Sequence, residues 1–112
     1  MENYINTVTG KISPSELGVT LTHEHILSDL TCKCDIPEGV TQKSISQEPV
    51  GLENLWWVRK HPLEHIDNNI LDDPAMMKKE LKHFILQGGQ SIVEATSRGM
   101  QRDPLGLKQI SL

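Results

Sequence analysis

Apolar and polar positions recur with different periods along the chain, and each change of period marks a candidate element. The stretch YINTVTGKI is apolar and β-branched around Gly10, which predicts a short hairpin. SPSELG then reads as a turn, with φ preset at Pro14 and left-handed angles open to Gly18. GVTLTHEH is short, β-branched and bounded by turn residues, which predicts a buried strand over about residues 18–24. Residues 26–50 follow neither the strand nor the helical period and carry Pro37, Gly39 and Pro49, so a long loop is expected there. In GLENLWWVRKHP, Leu52, Leu55, Trp56 and Arg59 share one side of a modest helix that Pro62 ends.

The clearest helical pattern is LDDPAMMKKELKHFILQGG. Asp73 is placed as the N-cap and Pro74 at the first helical position. Met77, Leu81, Phe84 and Ile85 form the apolar stripe, and Gly88-Gly89 stops the helix. QSIVEAT predicts a second strand over about residues 90–96, and Asp103-Pro104 repeats the cap-and-proline device before a last helix. There is no internal repeat. The order strand, crossover with helices, strand is a βαβ unit, and so an α/β fold with a parallel sheet. Two parallel strands leave both sheet edges open, so residues 1–112 read as the N-terminal βαβ portion of a larger barrel, incomplete in this chain.

Composition narrows the partners. The chain has 112 residues, with 11 basic side chains against 15 acidic and a formal net charge of −4. Lys and Arg are scattered, which argues against nucleic acid or an anionic membrane surface as a partner. MENYINTVTG is not a secretory signal, and no segment nears the ~20 apolar residues of a membrane span. A soluble cytoplasmic protein is expected. Cys32 and Cys34 in TCKCD are too close for a zinc knuckle, and a disulfide between them would be strained, so two free thiols are expected.

Candidate chemistry gathers at TLTHEHILSD. Side chains alternate along a strand, so His23 and His25 point one way and Glu24 the other. Two imidazoles at the C-terminal end of a strand can converge on one divalent ion, and imidazole suits zinc. The alternative is that one ring caps the strand and the other packs nearby. Glu94, at the end of the second strand, is open between an orienting hydrogen bond to a ligating His and a plain structural role. Asp29 reads as a loop cap. Asp103 reads as a helix cap, with Arg102 free to pair with a carboxylate near the strand ends. His61 and His65 have helical ligand spacing, but Pro62 lies between them and two exposed histidines are expected. His83 falls off the apolar stripe and reads as a surface residue. Trp56 and Trp57 read as satellite packing, one ring buried and the other at the surface, with a pocket-lining role as the alternative.

Two fragments, TVTGKISPSELGVTLTHEHILSD and GGQSIVEATSRGMQRDPLGLKQIS, together resemble the phosphotriesterase family of the amidohydrolase superfamily. In that family the first strand ends in H-x-H and the second leads into a T…G…RD loop. The intervening ENLWWVRKHPLEHIDNN is similar to the animal phosphotriesterase-related proteins. The resemblance covers nearly the whole chain. It implies a (β/α)8 TIM barrel and a two-metal centre, usually zinc. It also implies hydrolysis of an ester, lactone, amide or phosphoester bond in a small-molecule substrate. His23 and His25 match the first-strand ligands of the more buried metal. The family's other ligands, a bridging carboxylate, two histidines and an aspartate, come from later strands that this sequence does not contain. A catalytic zinc normally takes three protein ligands, and such a barrel needs ~250 residues. The chain alone is therefore expected to be inactive, and a truncated or interaction product is the alternative to the enzyme reading.

Overall fold

The computed structural model describes residues 3–112. Strands β1 (Ile5–Thr7) and β2 (Gly10–Ile12) pair antiparallel as the expected hairpin, with Thr7 opposite Gly10 at its turn. Ser13 and Glu16 then form a capping box around the short turn Pro14–Glu16. Gly18 follows with φ +59°, and a Cβ there would lie 1.6 Å from the Gln90 amide oxygen. That same oxygen accepts the Val19 N–H at 3.1 Å, so a residue without a side chain is what lets Gln90 close over the start of the strand.

Strand β3 (Thr20–Glu24) ends just before the apolar Ile26 and Leu27. The next segment departs from the expected loop over residues 26–50. It contains β4 (Ser28–Asp29), a turn of 3-10 helix at Thr31–Lys33 and helix α1 (Val40–Gln47). The helical period is muted in α1 because its one buried residue is polar: Ser46 is fully enclosed and its carbonyl accepts the Ile66 N–H at 2.9 Å. Helix α2 (Leu55–Val58) is a single turn, shorter than expected and turned differently. Trp57 and Val58 are buried, whereas Leu52 is 90% exposed and Trp56 58%. Asn54 is buried at the start of this turn. Its amide donates to Pro49 O at 2.9 Å and its oxygen accepts the Gly51 N–H at 2.9 Å, which folds the chain tightly ahead of the helix.

Strand β5 (Ile70–Leu71) pairs antiparallel with β4. Helix α3 (Pro74–Leu86) begins as the sequence predicts, with Asp73 accepting the N–H groups of Ala75 and Met76, both at 3.0 Å. Its buried stripe is narrower than expected. Met77 and Leu81 pack on the core, but Ile85 is 64% exposed. Strand β6 (Ser91–Glu94) pairs parallel with β3, and helix α4 (Pro104–Ser111) is capped by Asp103, which accepts the Gly106 N–H at 2.8 Å. The expected βαβ order is therefore observed, with both strands slightly shorter than the stretches 18–24 and 90–96.

The core lies between the β3–β6 pair and the helices. Ile26, Leu27 and Leu107 are buried at its centre, with Met77, Leu81, Ile92 and Ile110 around them. A second buried group inside the crossover holds Trp57, Val58, Ser46 and His65. The radius of gyration is 17.1 Å, against about 13 Å for a compact domain of this size, and Val19, Leu86 and Leu105 are exposed. One parallel pair with helices on one side cannot enclose its own apolar surface. No helix among the described residues is long and apolar enough to cross a membrane.

Replacing Asp73 by Ala removes two capping hydrogen bonds from the longest helix. Chemical denaturation should show about 1 kcal/mol of lost stability, with the β3–β6 end of the molecule unchanged by NMR.

Candidate metal centre

The parallel ladder aligns Thr20 with Ser91, Leu21 with Ile92 and Glu24 with Glu94. Between the last two pairs β3 advances three residues and β6 only two, so β3 carries one extra residue at Thr22–His23. Such a bulge bends a strand and re-aims its side chains. It falls at the histidine pair. The ladder then closes with Ala95 N–H donating to Glu24 O at 2.8 Å.

His23, within the bulge, is exposed, and His25, beyond it, is half-buried. Their ring centroids are 5.4 Å apart with planes at 74°. Two imidazoles bonded to one tetrahedral ion at about 2.0–2.1 Å would place their centroids roughly 5 Å apart. The observed separation fits that requirement. The donor set is short, however: among the described residues no three His, Cys, Asp or Glu side chains stand close enough to hold a metal.

His25 is held from behind. Its Nδ1 lies 2.9 Å from Thr96 Oγ1, and Thr96 is only 2% exposed. Both backbone groups of Thr96 are engaged as well. Its N–H donates to Glu94 Oε1 at 2.7 Å, and its carbonyl accepts from Arg102 Nε at 2.8 Å. The second Glu94 oxygen accepts the Ile26 N–H at 3.4 Å. Of the two roles open to Glu94, the geometry has it fastening the backbones of both strand ends; the ring partner of His25 is Thr96. Sequence reasoning missed Thr96. The available signal was its two-residue spacing from Glu94, which continues the strand alternation past the end of β6.

The other candidates separate clearly. Asp29 caps the following turn by accepting from the Thr31 N–H at 2.8 Å and from the Thr31 hydroxyl. Those bonds hold its carboxyl below the usual range. Its second oxygen accepts from Gln101 Nε2 at 3.0 Å, and Gln101 is the one non-glycine residue with positive φ among those described, at 58°. Asp29, Asp72, Gln101, Arg102 and Asp103 line an open cleft of about 450 Å³. His83 is exposed, and Trp57 is buried while Trp56 is not, as expected.

His61 and His65 correct the expectation of two exposed rings. His61 is half-buried, stacked on Trp57 at 4.7 Å and paired with Glu64 at 3.0 Å. His65 is fully buried, with Nδ1 accepting the Asn68 N–H at 3.3 Å and Nε2 without a partner among the described residues. The helix ends at Val58, before Pro62, and the chain then folds back on itself and carries His65 inward, because Asn69 Nδ2 donates to both Pro62 O and His65 O at 2.7 Å.

A parallel strand pair backed by helices, with its imidazoles at the C-terminal strand ends, is the opening unit of a (β/α)8 barrel in which sites are built at that face. The chain belongs to the phosphotriesterase family, whose model matches residues 3–111. It is 39% identical over 108 residues to the N-acetyltaurine hydrolase of Homo sapiens and 37% identical over 111 residues to that of Mus musculus. Each alignment covers 96% of this chain and 31% of the relative, so the chain spans about a third of the length of the curated relatives it matches. A solved structure described as a resiniferatoxin-binding protein from Rhodobacter sphaeroides superposes with a TM-score of 0.92 at 39% identity, over 96% of this chain and 30% of that one. The fold is thus a partial, N-terminal piece of the family's barrel.

The two thiols provide a test of this local geometry. Cys32 is exposed, while Cys34 is half-buried, with burial, the Asp29 carboxylate and Cys32 all pushing its thiol up. Timed alkylation near neutral pH should modify Cys32 first and Cys34 several-fold more slowly, read by mass spectrometry of the peptides.

Proposed function

We propose that this chain supplies the first-strand metal ligands, His23 and His25, of a zinc-type hydrolase that cleaves an amide bond in a small N-acylated substrate. The carrying observation is the pair of rings 5.4 Å apart at the C-terminal end of β3. The family membership and the relatives named N-acetyltaurine hydrolase support the amide class over the ester, lactone and phosphoester alternatives. A bound divalent ion would supply Lewis acidity at the scissile carbonyl and lower the pKa of water. The chain's own part is positional. His23 and His25 present ring nitrogens, the Thr96 contact orients His25, and Glu94 and Arg102 fasten the strand ends on which these groups stand.

The donor count favours a second reading for the chain by itself, that of a non-catalytic piece. Two imidazoles make a weak site, and the family's remaining ligands are not among these 112 residues. After dialysis, the isolated chain should retain much less than one zinc per molecule and should not release acetate from N-acetyltaurine.

A chimera decides the functional role. Residues 3–111 would replace the matching third of the human relative, and zinc content and acetate release would be measured together. The chimera should hold zinc and turn over substrate, and His25→Ala within it should lose metal and lower kcat/KM by more than about 100-fold. Near-parental turnover and metal content in that variant would sink the assignment.

A further inference from the structure

We propose that Thr96 is a positioning residue that sets the tautomer of His25: its hydroxyl oxygen accepts the Nδ1 proton and leaves the Nε2 lone pair free as a donor atom. The inference rests on the reading of His25 as a metal ligand. It adds the residue that makes the ring competent.

The geometry is unusually constrained for a threonine hydroxyl. Thr96 is 2% exposed, and its hydroxyl oxygen lies 2.9 Å from the ring nitrogen it faces. Its N–H is fixed by Glu94 and its carbonyl by Arg102, at 2.7 and 2.8 Å. With both backbone groups anchored, Oγ1 sits at a set position beside Nδ1. The bond can run in two directions, and they have opposite consequences. A hydroxyl donating to Nδ1 places the ring proton on Nε2 and blocks that atom. A ring donating to the hydroxyl leaves Nε2 unprotonated. A ligating histidine almost always donates its second ring N–H to a fixed acceptor, which holds both the tautomer and the ring plane. Here Thr96 is the one group bonded to the His25 ring among the described residues, so it has that role. Glu94 and Arg102 act one step further out, through Thr96, and neither is hydrogen-bonded to the ring.

The bulge in β3 sets Glu24 opposite Glu94, and His25, the next residue, lies within bonding distance of Thr96. His23 is exposed, with no hydrogen bond to its ring among the described residues. The two histidines are therefore unequal, one oriented and one free to adjust.

The test uses the nitrogen-15-labelled chain under conditions where the imidazoles are neutral, with His25 assigned through His25→Gln. Long-range proton–nitrogen spectra read the tautomer directly. The expected result is a protonated Nδ1 and an unprotonated Nε2 on His25. Thr96→Val should move the proton onto Nε2, and Thr96→Ser should keep the original pattern. Zinc titration should then show affinity at His25 about 10-fold weaker in Thr96→Val and unchanged in Thr96→Ser. A wild-type His25 protonated on Nε2, or a folded Thr96→Val chain with an unaltered tautomer, overturns the proposal. If Thr96→Val does not fold, the wild-type spectrum still reads the direction of the bond and Thr96→Ala its dependence on the hydroxyl. Zinc that shifts neither His23 nor His25 while Nδ1 stays protonated would count against the metal-ligand reading and leave the Thr96 assignment standing.

Discussion

The hydrogen bond from Ala95 N–H to Glu24 O, at 2.8 Å, is the last rung between β3 and β6, and the positions of all the candidate groups follow from it. Glu24 separates the two histidines, and Ala95 separates Glu94 from Thr96. Pairing their backbones side by side brings a ring from one strand against a hydroxyl from the other, across 71 residues of sequence. The rung exists because β3 carries an extra residue just before it. Without the bulge, Glu24 would fall opposite Ala95 in place of Glu94. A one-residue shift in a ladder exchanges the faces of every side chain beyond it.

The same pairing creates the core. With the strands parallel, the connection between them has to cross over one face, and α3 returns along that face with Met77 and Leu81 inward. Leu107 and Ile110 of α4 close over the same patch, and Ile26 and Leu27, directly after the histidine pair, fill its centre. The residues beside the candidate ligands are therefore buried apolar side chains of the main core. The outer faces have no equivalent cover, and side chains such as Val19 and Leu86 stay exposed. A piece that aligns with about a third of its relatives' length has this asymmetry for a physical reason: a barrel strand is covered on both faces only when its neighbours and the interior layers are present.

Inside the crossover, stability comes from a different source. Asn54, Ser46, Asn69 and His65 are all buried, and side-chain hydrogen bonds to backbone set the course of the chain. Buried amides and hydroxyls specify a turn by geometry, and they leave no hydrophobic period to read. The expected loop over 26–50 therefore proved to contain a helix, and the apolar side assigned to residues 52–59 proved to be the wrong one. The buried side chains there are chosen by contacts with Trp57 and His65 that no local pattern encodes.

What the sequence determined by itself is whatever rests on local chemistry. Asp73-Pro74 and Asp103-Pro104 start helices because a carboxylate and a proline suit a helix's first turn wherever it lies. The β-branched runs form strands, and an H-x-H at a strand end puts two rings on one side. The family, the βαβ order and the histidine pair were legible for those reasons. The bulge, the inward turn of His65 and the clamp on His25 were decided only in three dimensions, because each depends on a partner far away in sequence whose register a one-residue change would alter. The two-residue spacing from Glu94 marks Thr96 only as a continuation of the strand; its contact with His25 is set when β6 is laid beside β3.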